Sequence, residues 1–467
     1  MTPDAAADSP SVLRAPARLW PAFGVLAIGS AAALAVLSPQ FAYGNVPPTA
    51  AIYGVVAIGV VAGAIVLALR LLVARTEPTH GRLIGVIAVG LVLRLIMLPS
   101  TPILEDDVYR YLWDGGLAAG GVNPYRHAPA DAAAAPDDLS AAARSVQARV
   151  NHPEIRTIYP PVAQAFFLTA HLVDPWGLTG WRVVLLAADL ATLGLLLALL
   201  RRLGRSPLWA ALYWWNPLAV KALFNAGHMD GVLLPFLLIG LWFAIAEKPA
   251  RATAAVVLAA GIKLWPILLL PTVLRPLAAR PWRLTLVLAL VLVAGALMAW
   301  PIVAGGLDRT AGVIAYGTQW RMNDGLFLAL SWVAGLVAGA DGGDVAARLA
   351  LMAAAGGIAL AVCRRPAADA EEVTRRFLIV AAAVFLLSPA QFPWYALWFL
   401  PFLALRPHWS LLALTPLLAL YDLRFALAID GRVELFDHGI VWLEYLPVWG
   451  LLVWEWRRGV WRAGAGP

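Results

Sequence analysis

Long uninterrupted apolar blocks limit this chain more than any other feature. Val86–Leu98, Val183–Leu200, Val232–Ala246 and Leu284–Ala299 carry almost no charge, and a helix needs about 20 mostly apolar residues to cross a bilayer. Across 467 residues, 61% are hydrophobic and only 13% charged, against about a quarter charged in a soluble domain. The short alternating segments of a membrane barrel are missing from the pattern. The expected fold is all-α, a polytopic transmembrane helical bundle of roughly 12–14 spans. It forms one domain over residues 1–467, with no internal repeat and no separate soluble domain.

Basic residues set the threading. The net charge of +7 comes from arginines in short loops between apolar blocks, such as Arg70–Arg82, Arg201–Arg205, Arg275–Arg283, Arg364–Arg376 and Arg457–Arg462. That is the positive-inside distribution, so the charge points to membrane topology and away from nucleic acid. Arg14 and Arg18 are expected to anchor a first, uncleaved span. Both termini then lie in the cytoplasm, and residues 99–180 form a long extracytoplasmic loop carrying surface helices. Pro161–Val173 is apolar but short; if it crossed, Arg201–Arg205 would land outside, so it is expected to lie on the outer surface. Pro-broken Gly261–Pro271 leaves the span count open. The single Cys363 supports neither a disulfide framework nor a zinc site.

On this threading the unusual polar residues collect on one side. In "LEDDVYRYLWDGG", Glu105, Asp106 and Asp107 follow an apolar block directly. A helix from Asp106 would put Asp106, Arg110 and Asp114 in register, with Asp107 and Tyr111 on the adjoining face. Two readings stand: the acids cap a surface helix, or they supply a base. Capping needs only one acid, and clustered carboxylates raise one another's pKa towards neutrality. "GGVNPY" makes a turn, and "TIYPPVAQ" starts the surface helix on prolines. In "WWNPLAVKALFNAGHMDG", Lys221, Asn225, His228 and Asp230 interrupt apolar sequence, where ionisable groups default to function. Lys221 and Lys263, two of three lysines, lie in apolar surroundings, where snorkelling is the bland reading. "YGTQWRMNDG", "SPAQFPWY" and the late acids Asp422, Asp437 and Glu444 add polar and aromatic groups; an interfacial aromatic belt explains the latter equally well. Asp189, inside a span, is expected to pair with another polar group of the bundle, Arg182 at i−7 being one candidate.

An outward pocket with clustered carboxylates, cations, aromatics and lateral access to lipid suits sugar transfer from a lipid-linked phosphate. The phosphate needs Lys or Arg partners. It is already a good leaving group, so one carboxylate base on the acceptor hydroxyl suffices. Direct displacement inverts the anomeric centre, unlike the two-carboxylate retaining scheme. No phosphate-cradling Gly-rich loop for a nucleotide is present.

The run "EDDVYRYLWDGGLAAGGVNPY", followed by "IYPPVAQ", "WNP", "NAGHMDG" and "IKLWP", resembles the GT-C superfamily of integral-membrane glycosyltransferases. It is most similar to bacterial glycosyltransferase family 87 and the polyprenol-phosphate-mannose-dependent mannosyltransferases. The resemblance implies a polyprenyl-phosphate-sugar donor, mannose favoured, and a catalytic Asp in the first outer loop. Spacing to Tyr109 and Asp114 maps that residue to Asp106, but the chain reads Asp-Asp where Asp-x-Asp is usual, so Asp107 stands beside it. Motif likeness matches Lys221, His228 and Lys263 to positions that bind the lipid phosphate or shape the pocket; Arg110, Lys221 and Lys263 are the expected phosphate ligands, with His228 and Arg321 behind them. Glu105, Tyr109, Tyr111, Trp113, Asp114, Asn123, Tyr159, Asn225 and Asp230 are expected around the sugar and acceptor. No cofactor is expected, although Glu105–Asp107 has the chemistry to hold a divalent ion. Glycan, glycolipid and protein hydroxyls all fit as acceptor. The enzyme is expected in the bacterial inner membrane, its site facing the periplasm. A flippase of lipid-linked sugars or an oligosaccharide ligase are the competing readings; the flippase predicts polar residues through the midplane and paired repeats.

Overall fold

The computed structural model describes residues 18–131 and 139–462; Arg14 lies outside them. Among the described residues the chain is helical, and its only β pairing is one isolated bridge between Met322 and Ala390. Seven segments are long and apolar enough to cross a membrane: Leu19–Phe41, Thr49–Ala74, His80–Met97, Leu178–Arg202, Pro281–Ala304, Gly325–Val362 and Trp409–Ile429. The other apolar blocks fold as shorter helices. Where block counting anticipates roughly 12–14 crossings, much of the bundle is therefore built from broken pieces.

Proline explains most of the breaks. Pro266, Pro271 and Pro276 divide "WPILLLPTVLRPL" into the short turns Trp265–Leu269, Leu270–Leu274 and Arg275–Leu277, because each proline lacks an N–H and clashes with the preceding turn. Gly325–Val362 reverses at Gly339, whose φ of 72° few side chains tolerate. Arg348 consequently donates to Trp320 O at 3.0 Å, a contact impossible along a straight helix.

The elements that frame the site are α1 (Leu19–Leu37), α2 (Thr49–Ala74), α3 (His80–Met97), α4 (Asp107–Ala119), α5 (Ala141–Gln147), α6 (Pro161–Val173) and α7 (Leu178–Arg202). They are followed by α8 (Asp230–Ile245), α9 (Pro249–Ala260) and α10 (Pro281–Ala304). Helix α8 packs between α7 and α9, and α4 lies on α6. Gly59 and Gly63 let α2 lie directly on Ala419 and Pro416, the close approach small residues permit between membrane helices. Helix α10 buries none of its residues and stands at the edge of the bundle.

Within the bundle, Arg94 Nε donates to Asp189 Oδ2 at 2.6 Å, both side chains fully buried. Tyr213 Oη donates to the other carboxylate oxygen at 2.5 Å. Asp189 thus pairs with other polar groups of the bundle, as expected, but not with the candidate Arg182. Two turns of one helix separate that pair by about 10 Å, and Arg182 instead donates to the carbonyls of Leu98, Ser100 and Asn225.

Candidate active site

The acids open helix α4 without capping it. Asp106 occupies the N-cap position but its side chain accepts no capping hydrogen bond. Instead Asn151 Nδ2 donates to Asp106 Oδ1 at 2.8 Å and to Asp107 Oδ1 at 2.9 Å. Leu104, just upstream, holds a φ of 60°, a conformation a bulky residue adopts only under constraint. Asn225 supplies that constraint: it donates to Ser100 Oγ and Thr101 O and accepts from Ile103 N, at 2.6–2.9 Å.

Helix α4 is docked by its own polar residues. Arg110 donates to the carbonyls of Asn151, His152 and Ile155, each at 2.9 Å. Asp114 is buried and accepts from Thr157 Oγ1 at 2.5 Å and Gln164 Nε2 at 3.0 Å. Burial lifts its carboxyl to about 6, against the pull of Arg110 and its two donors. "TIYPPVAQ" thus gives α4 a docking partner as well as starting α6.

A π-type turn over Lys221–Asn225 and a left-handed Gly227 at φ 75° present "NAGHMDG". Such turns occur often at functional sites. Trp181 Nε1 fastens the loop by donating to Gly227 O at 2.6 Å. His228, only 1% exposed, stacks on Trp394 at 3.8 Å between ring centroids, and Trp394 stacks on Phe392 at 4.4 Å. The imidazole stands behind the acids, with Nε2 3.6 Å from Glu105 Oε2 and Nδ1 3.8 Å from Asp107 Oδ2. Burial raises the Glu105 carboxyl to about 7 even though His228 pulls it down. Burial and the neighbouring Asp107 charge raise Asp106 too.

The three acids open onto a cavity of about 1240 Å³, which His228, an expected phosphate ligand, does not line. Its polar wall includes Glu105, Asp106, Asp107, Tyr109, Arg110, Tyr111, Asn151, Tyr159, Asp230 and Lys263. Val257, Leu264, Ile267, Leu270, Leu292, Ala296, Ala299 and Ile302 line it on the side of α9 and α10. Leu264, Ile267 and Leu292 are exposed. Lys263 is placed on the same wall: its ammonium lies 2.8 Å from Asp230 Oδ1 and 3.7 Å above the Tyr395 ring. Trp398 Nε1 donates to the same Asp230 oxygen at 2.6 Å.

Other expected site residues lie off this wall. Lys221 pairs with Asp422 at 2.5 Å. Arg321 lies near Asp344 and Asp324, at 3.4 and 3.9 Å. Trp113 is fully buried beside Trp176. Asn123 holds its turn by donating to Pro301 O and accepting from Tyr125 N, both at 3.0 Å. Sequence reasoning gave no role to Asn151, Tyr316, Trp394, Tyr395 or Trp398. The last three fall in or beside "SPAQFPWY", where a membrane-interface belt has the same composition; Asn151, a lone amide in a polar loop, carries no signal. Among the described residues, no three His, Cys, Asp or Glu side chains converge as metal ligands.

Residues 19–280, more than half of the chain, match the MptA_B family model, described as the alpha-(1->6)-mannopyranosyltransferase N-terminal domain. That span contains the acids, the whole first loop, His228 and Lys263. No curated protein and no solved structure matches the chain.

Proposed function

From the premise that this chain belongs to the MptA_B family of alpha-(1->6)-mannopyranosyltransferases, we propose that it transfers mannose from a polyprenyl-phosphate donor to an acceptor hydroxyl outside the cytoplasm, with inversion. The observation that carries this reading is the union of two surfaces in one cavity. A carboxylate wall and an apolar wall along α9 and α10 meet at Lys263. A polyprenyl tail suits the apolar wall, and its phosphate suits an ammonium at the boundary.

The acceptor hydroxyl gives its proton to the Asp106–Asp107 pair as its oxygen bonds to the anomeric carbon. The bond from that carbon to the phosphate oxygen breaks, and polyprenyl phosphate leaves with the electron pair. Burial suits Asp106 to this role, since a carboxylate whose pKa is raised takes a proton more readily. Inversion to an α-linked product requires a β-linked donor.

Detergent-purified protein with radiolabelled polyprenyl-phosphate-mannose and a crude membrane acceptor fraction tests the reading. Transfer by wild type, absence of transfer from nucleotide-mannose, and loss in Asp106→Asn or Asp107→Asn are the expected results. Full activity in the double variant would overturn it.

A further inference from the structure

One side-chain amide touches both carboxylates of the pair. The Asn151 NH2 group has two hydrogens, and its nitrogen lies 2.8 Å from Asp106 Oδ1 and 2.9 Å from Asp107 Oδ1. Adjacent residues at a helix start ordinarily point their side chains about 100° apart. Two neighbouring carboxylates also repel. A shared donor opposes both tendencies, because a hydrogen bond to an ionised acceptor is stronger than a neutral one.

Asn151 is itself held firmly. Its backbone carbonyl accepts from Arg110, as do those of His152 and Ile155. Just upstream, Tyr43 Oη donates to Ala148 O at 2.9 Å. The guanidinium of Arg149 lies 5.7 Å from the centroid of the Tyr43 ring and 5.3 Å from that of Tyr109. Segment 148–155 is thus pinned from α4 and from the loop between α1 and α2, and the amide is delivered to the acids from a fixed backbone.

We infer that Asn151 is a positioning residue that holds Asp106 and Asp107 in one orientation and favours the ionised form of Asp106. The inference rests on the reading of those two carboxylates as the base. Several other charges face the pair. Glu105 and His228 stand on one side, His152 on the pinned loop, Arg110 one turn along α4, and Lys263 across the cavity. All of them remain when the amide is removed, so a shift on removal reports Asn151 alone.

The test compares wild type with Asn151→Ala and Asn151→Gln by two readouts. The first is modification of Asp106 and Asp107 by dicyclohexylcarbodiimide, which attacks protonated carboxyls, followed across pH by peptide mass spectrometry. Losing a donor to the ionised form raises a carboxyl's pKa, so the Asn151→Ala labelling midpoint should move up by about one pH unit. The second readout is mannose transfer. Asn151→Ala should lower kcat by about tenfold to a hundredfold, the scale expected for a misplaced reacting group. Donor KM should hold, and the acid limb of the rate profile should move upward with the labelling midpoint. Asn151→Gln, which restores an amide, should recover part of both.

An unmoved labelling midpoint in folded Asn151→Ala overturns the inference, whatever the activity. A moved midpoint in a protein that never uses the polyprenyl donor leaves the inference standing and overturns the donor assignment. If Asn151→Ala loses its thermal transition, Asn151→Ser, which keeps a shorter donor, takes its place, and an unmoved midpoint there counts equally against the inference.

Discussion

The Lys263 ammonium and the Asp230 carboxylate face each other at 2.8 Å, with the ammonium over the Tyr395 ring and beside Trp398. The pair stands at the boundary between the apolar and acidic walls. Asp230 holds the lysine in place but uses only one of its three donors, leaving two for a phosphate. Lys263→Met should therefore raise donor KM by about tenfold or more, the equivalent of a hydrogen bond to a charged group at about 1.5–3 kcal/mol. The effect on kcat should be smaller. Initial rates against donor concentration check this, and an unchanged KM would remove Lys263 from the phosphate site.

Arg110 separates a binding role from a positioning one. Its guanidinium donates to three carbonyls of the pinned loop. Arg110→Ala should lower the thermal midpoint and kcat together while leaving donor KM within about twofold, since removal of an interaction not made with the bound donor leaves KM alone. A rise in KM with stability intact would instead make it a phosphate ligand.

The carboxyls give a pH dependence of definite sign. Glu105 is raised from 4.5 to about 7 by burial, and Asp114 from 3.8 to about 6. A raised folded-state pKa means that the native protein binds more protons than the unfolded chain between the two values. Stability from these groups is full below about pH 4 and falls as pH rises through the windows 3.8–6 and 4.5–7. Glu105→Gln, which mimics the neutral acid, should flatten the upper window and raise the thermal midpoint above pH 7. Melting curves between pH 5 and 8 measure this; an unchanged slope would show that Glu105 is ionised throughout.

The fold class was legible because apolar block length is a direct physical requirement of the bilayer. The acids were legible for the same reason in reverse: charge amid apolar sequence stands out. What could not be read were partners. Lys221 meets Asp422 across 201 positions, and Asp189 meets Arg94 across 95. No periodicity encodes such meetings, so the choice of Arg182 for Asp189 rested on chain proximity and failed. Asn151 escaped notice because a single amide in a polar loop looks like any other. The aromatic wall was hidden by its likeness to an interface belt. Prolines that break a segment leave its hydropathy unchanged, so the apolar blocks could be read but not their division into long helices and short turns.

The buried Arg94–Asp189–Tyr213 group should show the signature of a desolvated network. Removing one partner strands a charge, so Arg94→Met or Asp189→Leu alone should destabilise by about 3–5 kcal/mol. Arg94→Met, Asp189→Leu and Tyr213→Phe together leave no stranded charge and should recover part of that loss, the remainder reflecting the Trp214 carbonyl that Arg94 serves at 2.6 Å. Unfolding of the single and triple variants in mixed micelles compares them directly. Simple additivity of the three losses would mean that the residues do not act as a unit.

Orientation is open to a test that the sequence makes simple. The chain has one cysteine, Cys363, which is buried, so Cys363→Ala provides a clean background. Asn45 is exposed at the cavity wall, and Arg458 is exposed after the last helix. On the proposed threading, in which the basic loops face inward, Arg458 lies on the cytoplasmic side. An impermeant maleimide added to spheroplasts should label Asn45→Cys and spare Arg458→Cys, while inside-out vesicles should give the reverse. This matters for the chemistry as well as the map. Nucleotide sugars are confined to the cytoplasm, so a cavity opening outside must take its mannose from a lipid carrier. Labelling of Asn45→Cys only in inside-out vesicles would turn the cavity to the cytoplasm and overturn the proposed extracytoplasmic acceptor.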